Sequence, residues 1–307
     1  MPAATRTIVL HEVGPRDGLQ MEQQVVPTEQ KARWIRELIA AGVDVIQVGS
    51  FVHPGKEPQM ADTDRLFAEL GKPEGVTLSA LVLNEKGLER GLACDVGMFC
   101  MGVSASETHS RENTGMSIAQ ATARIISIAH RVVDAKKQVQ VSVQSAFGCG
   151  YEGAVPQDRV LSLVHQFFDA GLTHISLADT AGHAVPEQVE RLYEAVFAAG
   201  PGVAAACHFH NTYGLALANC WAAMRAGVTW FESSVAGLGG CPFTRIAGGN
   251  TCTEDFVHLL QRSGLRGDVR LDRLIAVAGD MSRFFGRELP GTVYRTGTVA
   301  EAVAGRS

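Results

Sequence analysis

THISLADTAGHAVPEQVERLYEAVFAAGPGVAAACHFHN, residues 173–211, reads as strand, helix, strand. THISLADT (173–180) and VAAACHFHN (203–211) are short, nearly continuous apolar runs, the pattern of strands buried on both faces of a parallel sheet. Between them PEQVERLYEAVFAAG (186–200) opens on Pro and closes on Gly, a helix's start and stop signs. The same unit recurs on either side. TIVLHEVG (7–14), VDVIQVGS (43–50), VTLSALVL (76–83), DVGMFCMGV (95–103), VQVSVQSAF (139–147) and TWFESSVAG (229–237) bring the β-like runs to eight. TEQKARWIRELIAAG (28–42) begins with a Thr cap signal. PQDRVLSLVHQFFDAG (156–171) and ALANCWAAMRAG (216–227) are helical too, and all three end at Gly. Eight strand–helix units without a long linker predict an α/β fold, a (β/α)₈ TIM barrel, with a doubly wound open sheet as the rival. Residues 264–307 read as an extra C-terminal helix, LDRLIAVAGDMSRFFGREL (271–289), and a polar tail. The prediction is therefore a single catalytic domain over 1–307, with 264–307 packed on the barrel.

Composition narrows the function. A chain of 307 residues that is 46% hydrophobic can bury a large core. The net charge of -5, without a basic run, excludes nucleic acid as the expected partner. An anionic substrate is still allowed, because a metal and a few arginines can supply a local positive field. The cysteines (Cys94, Cys100, Cys149, Cys207, Cys220, Cys241 and Cys252) are odd in number and form no CxxC pair, so a reducing compartment is expected over a disulfide framework. No secretory core and no apolar stretch of membrane length is seen, which predicts a cytoplasmic protein with no membrane partner.

In a TIM barrel the active site lies at the C-terminal ends of the strands. His208 and His210 end the seventh run. Two apart on a strand, their side chains point the same way, which makes a metal half-site. The plainer reading is two unrelated histidines. Arg16 and Asp17 follow the first run in GPRDGLQ, and closure of the barrel would bring Asp17 to strand seven as a carboxylate ligand; as a surface turn, the pair would mean nothing. The loop after the eighth run, AGLGGCPFTRIAGGNTCTED, is glycine-rich, as a mobile lid is. Asn250 there offers a ligand oxygen, and the Cys241 thiol a proton donor or acceptor. The bland alternative is a loose loop with an incidental Cys. Asp179 and Thr180 end strand six, and Tyr151 and Glu152 follow strand five. Any of these could touch a ligand, and Asp179 could equally cap a helix.

Together these residues resemble the 3-hydroxy-3-methylglutaryl-CoA lyase family of metal-dependent TIM-barrel enzymes. The segments that carry the likeness are VGPRDGLQ (13–20), GSFVHPGKEPQMAD (49–62), SASETHSREN (104–113), GCGYEG (148–153), SLADTAG (176–182), CHFHNTYG (207–214) and VAGLGGCPFTRIAGGNTCTED (235–255). The most specific is GGCP with Gly-Asn nine residues beyond its Cys. The resemblance implies that Asp17, His208, His210 and Asn250 bind a divalent cation, Mg²⁺ or Mn²⁺. It implies that Arg16 sits at a thioester carbonyl, that Cys241 moves protons, and that Gln20, Tyr151, Asp179 and Thr180 line an acyl-CoA pocket. By the same analogy the protein is a homodimer of leucine degradation. The implied reaction is retro-Claisen cleavage of a branched 3-hydroxyacyl-CoA to acetyl-CoA and a keto acid.

Four positions depart from the family pattern. Gln47 stands where a Glu is usual beside Arg16, keeping size and hydrogen bonding but losing charge. Glu232 stands where Asp is more usual, and Arg245-Ile246 replaces small or polar lid residues. Gln47 keeps open a lyase for another 3-hydroxyacyl-CoA. A Claisen-type synthase and a metal-binding barrel without catalysis are the further alternatives.

Overall fold

Eight parallel strands close on themselves in chain order, β8 pairing back to β1. They are β1 (Val9–Glu12), β2 (Val45–Ser50), β3 (Thr77–Leu81), β4 (Met98–Ser104), β5 (Gln138–Gln144), β6 (His174–Asp179), β7 (Ala204–Phe209) and β8 (Trp230–Ser233). The structure, a computed structural model, describes residues 8–53, 55, 57–200, 202–240 and 248–299. Helices cover the outside: α1 (Thr28–Ala41), α2 (Thr63–Leu70), α3 (Glu85–Ala93), α4 (Glu107–Thr114), α5 (Ile118–Asp134), α6 (Gln157–Asp169), α7 (Pro186–Ala199), α8 (Ala216–Ala226) and α9 (Thr253–Arg262). α10 (Leu271–Phe285) and α11 (Val293–Thr296) follow the eighth unit. The predicted (β/α)₈ barrel with an added C-terminal helix is the fold observed.

The core explains the near-continuous apolar runs. Outward-facing strand residues such as Phe99, Phe209 and Phe231 meet the apolar helix faces and are fully buried. The barrel interior is different. Beside a small apolar group of Val45, Met98 and Cys100 lie His11, Gln47, Ser79, Gln140, Ser176 and Glu232, all buried. Burying this much polar surface is unfavourable unless it is hydrogen-bonded. A polar barrel interior is therefore a first sign of a built site.

The strands are shorter than the sequence runs, for local reasons. β5 stops at Gln144 because Ser145 turns into the left-handed region (φ 55), and Asp95 (φ 56) keeps the turn before β4 out of the strand. Val235–Gly237 form a helical turn and leave β8. Thr28 does not cap α1: the N-cap is Pro27, and Thr28 lies buried inside the first turn. α10 ends at Phe285, capped by left-handed Gly286, so residues 287–289 fall outside it. α10 docks on α1 through Trp34, whose Nε1–H donates to Asp280 (2.7 Å) and whose ring meets Phe284 edge-on at 5.4 Å. Truncating such a buried Trp costs about 3–5 kcal/mol. No described helix is long and apolar enough to cross a membrane.

Candidate metal centre

The GPRDG segment leaves β1 as one wide helical turn, with the Asp17 N–H on the Val13 carbonyl at 2.7 Å. Buried Glu12 pins this turn. Its Oε1 accepts from the Gly14 N–H (2.7 Å) and the Val235 N–H (2.9 Å), and its Oε2 accepts from the Thr253 hydroxyl (2.6 Å). A side chain at Gly14 would bring its Cβ within 2.5 Å of Glu12 Oε1, so only glycine allows the approach. Burial outweighs these hydrogen bonds and pushes the Glu12 carboxyl up to about 7. One acid thus ties strand one, the end of strand eight and the start of α9 into a single scaffold.

That scaffold sets Asp17 against strand seven. His208 and His210 point to one face, and their Nε2 atoms lie 3.1 Å apart. Asp17 Oδ2 is 3.9 Å from His208 Nε2 and accepts from Asn250 Nδ2 at 2.7 Å. Ligand atoms of Asp17, His208 and His210 all fall within 4.8 Å of one another. Asn250 adds a buried Oδ1 with no hydrogen-bond partner among the described residues. Its backbone bridges to that of His210, which brings the end of the glycine-rich loop to the site. These donors fit a divalent cation: two ligand atoms about 2.1 Å from one ion and at right angles lie about 3.0 Å apart, against the 3.1 Å found.

The electrostatics agree. Burial and the neighbouring His208 push His210 down to about 4, which leaves it neutral, the form that ligates. Burial works to raise the Asp17 carboxyl, but the Arg16 guanidinium and both histidines outweigh it and hold it well below the usual range. Burial likewise opposes charge on His208. The Glu232 carboxylate at Nδ1 (3.0 Å) prevails and raises its pKa.

Arg16 stands over this group. It donates to Gln47 and Asp17 and, at 3.4 Å, to Gln20 Oε1. A bulge in the register of β2 between Gln47 and Gly49 accompanies the turn of Gln47 toward the guanidinium. A cavity of about 190 Å³ opens beneath, lined by Arg16, Asp17, Gln47, Thr180, His208 and His210 among others.

Other expected residues are placed differently. Gln20 and Thr180 line the cavity, and Thr180 Oγ1 accepts from the Ser145 N–H (2.9 Å). Asp179 is buried and turned to the backbone, accepting from the His183 (2.8 Å) and Ala184 (3.1 Å) N–H groups, so it holds the loop before α7. Burial pushes it up to about 6. Tyr151 is exposed on the loop after β5 and is not among the cavity-lining residues. Cys241, Arg245 and Ile246 lie outside the described residues, although Gly240 reaches the cavity wall. Glu12, Gln140, Ser142, Gln144 and Ser176 were not singled out by sequence reasoning. The available signal was polar side chains at alternate positions of strands otherwise apolar.

A closed parallel barrel with two imidazoles and a carboxylate converging at its C-terminal mouth defines a TIM-barrel protein with a candidate metal site. The chain belongs to the HMGL-like family, whose model matches residues 7–281. It is 38% identical over 285 residues to a hydroxymethylglutaryl-CoA lyase of Bacillus subtilis, covering 93% of this chain and 95% of the other. It is 39% identical over 274 residues to a 3-hydroxy-3-isohexenylglutaryl-CoA/hydroxymethylglutaryl-CoA lyase of Pseudomonas aeruginosa, covering 88% and 90%. The structure of an HMG-CoA lyase from Acinetobacter baumannii with coenzyme A and 3-methylmalate superposes with a TM-score of 0.92 at 35% identity, covering 97% and 98%.

Proposed function

We infer that this protein is a carbon–carbon lyase that splits 3-hydroxy-3-methylglutaryl-CoA, or a closely related branched 3-hydroxyacyl-CoA, into acetyl-CoA and a keto acid. The observation that carries the reading is the meeting of Asp17, His208 and His210 directly beside the Arg16 guanidinium in one cavity. Lyase relatives that match over most of the chain support it. They do not favour a synthase or a barrel without catalysis.

Asp17, His208 and His210 would hold a divalent cation, Mg²⁺ or Mn²⁺, with Asn250 as a fourth donor. Such an ion lowers the pKa of a bound hydroxyl and polarises oxygen. The protein's own residues supply the rest. As the tertiary hydroxyl gives up its proton, its oxygen becomes the keto carbonyl and the bond between C2 and C3 breaks. The bond's electrons pass to the acetyl thioester as an enolate. Arg16, fixed by Gln47 and Asp17, faces the enolate oxygen and stabilises charge where it develops. The enolate then takes a proton at carbon, and we assign that donation to the Cys241 thiol; the proton released by the hydroxyl passes to solvent, and the thiolate recovers one from solvent, so the cycle is proton-neutral. Gln20 and Thr180 shape the wall, while Asp179 holds the loop that carries Thr180; Tyr151 would meet the ligand only at the rim.

The setting we propose is cytoplasmic, in keeping with six free thiols among the described cysteines. We further propose one catalytic domain, assembled as a homodimer, which sedimentation would check. The function is tested by a panel of 3-hydroxyacyl-CoA thioesters with Mg²⁺, with Mn²⁺ and after chelation, following released acetyl-CoA. Metal-dependent release is expected from 3-hydroxy-3-methylglutaryl-CoA or a near homologue. Silence across the panel in metal-replete assays overturns the reading.

A further inference from the structure

We propose that Glu232 and Ser176 are positioning residues, which lock the tautomer and orientation of His208 so that its Nε2 lone pair faces the cation site. The inference rests on the metal reading above. Its geometry comes from three adjacent strands. His208 on β7 and Glu232 on β8 are register partners, and Ala178 on β6 is the partner of His208 on the other side. Ser176 lies two residues before Ala178, on the same inward face and one layer deeper. A chain of contacts climbs from it: the Ser176 hydroxyl donates to Glu232 Oε1 (2.8 Å), and Glu232 Oε2 takes the His208 Nδ1–H (3.0 Å). All three side chains are buried.

Donors and acceptors decide the tautomer of His208. A neutral imidazole carries a single N–H, on either nitrogen. An ionised carboxylate only accepts. At 3.0 Å from Nδ1 it therefore draws the proton there and leaves Nε2 as the lone-pair atom. Glu232 meets this condition by its contacts: Oε1 accepts from the Ser176 hydroxyl and Oε2 faces Nδ1, so both oxygens are placed as acceptors. Two of the other interior histidines, His11 and His174, do not compete for it. Both are pushed to about 4, chiefly by burial, and stay neutral. They also have their own partners, Ser79 for His11 (2.9 Å) and Gln140 for His174 (3.2 Å). Ser176 fixes the second carboxylate oxygen, so the plane of Glu232 cannot swing away from Nδ1.

Glu232→Gln tests this with nearly unchanged shape. An amide can offer its NH₂ group to Nδ1, which then accepts, and the imidazole proton moves to Nε2, the atom that must be bare to bind metal. The Mn²⁺ dissociation constant, measured by titration calorimetry on the whole protein, should rise by about 10–100-fold. ¹⁵N spectra of the metal-free protein should show His208 leaving the Nδ1–H form. Ser176→Ala is the milder companion: the carboxylate remains and the tautomer holds, but Mn²⁺ binds severalfold more weakly as Glu232 loosens. If wild type binds Mn²⁺ and Glu232→Gln binds it equally well with His208 still protonated at Nδ1, the positioning role is refuted. If wild type itself binds no Mn²⁺ or Mg²⁺, the metal reading falls first, and the two failures are distinct.

Discussion

Glu254 offers a test of how burial shapes the chemistry of this barrel. It lies in the first turn of α9, wholly buried, and its Oε2 accepts the Ala236 N–H at 3.0 Å. Ala236 sits in the left-handed region (φ 61), in the turn that leads to the glycine-rich loop, so Glu254 anchors one end of that loop. Burial, which the hydrogen bonds only partly offset, pushes its carboxyl from 4.5 up to about 8. The folded protein therefore holds this proton where the unfolded chain has lost it. Stability from the protonated form is complete below about pH 4.5 and is lost as the pH rises through about 8. Each unit of that window carries about 1.4 kcal/mol, so the whole window is worth on the order of 3–5 kcal/mol as an upper estimate. Glu254→Gln keeps the acceptor for Ala236 and cannot ionise. Denaturant unfolding from pH 5 to 9 at fixed ionic strength should show wild type losing stability relative to the variant by up to about 1.4 kcal/mol per pH unit. The two stabilities should cross so that the variant is the more stable above pH 8. Parallel curves for the two proteins would refute the argument that burial controls this group.

Two further outcomes follow from the site. Asp17→Asn removes the one anionic ligand and should weaken Mn²⁺ binding beyond the roughly 10–100-fold typical of losing an outer partner, with the circular dichroism unchanged; an unaltered calorimetric titration would remove Asp17 from the ligand set. Gln47→Glu places a carboxylate beside Arg16, where an attraction of about 4 kcal/mol at an effective dielectric of 20 opposes several kcal/mol of desolvation. Stability should therefore change little, while kcat/KM for 3-hydroxy-3-methylglutaryl-CoA rises by about tenfold or a different thioester ceases to be cleaved; neither change in the panel would show that Gln47 does not tune the substrate.

Much of the site was legible because its signals are local. The spacing of His208 and His210 puts both side chains on one face of any strand, whatever surrounds it. The position of Asp17 just past the first strand places it at the barrel mouth once eight strands are granted. The status of Asp179 was not legible, because binding backbone N–H groups and facing a ligand leave the same mark in a sequence. Glu12 and Ser176 were passed over for a related reason: each works through partners far along the chain, 241 residues away for Glu12 and Thr253 and 56 for Ser176 and Glu232.

By itself the sequence settled the alternation of strand and helix, the count of eight, and the residue types at the strand ends, since these follow from side-chain periodicity and turn chemistry within a few residues. Closure of the barrel decided the rest. Pairing β8 to β1 brought Val235 and Thr253 onto Glu12, and the register of β7 with β8 set Glu232 beside His208. Hydrogen bonds act over about 3 Å, so which buried polar groups satisfy one another depends on cross-strand register, a property that belongs to no single segment of the chain.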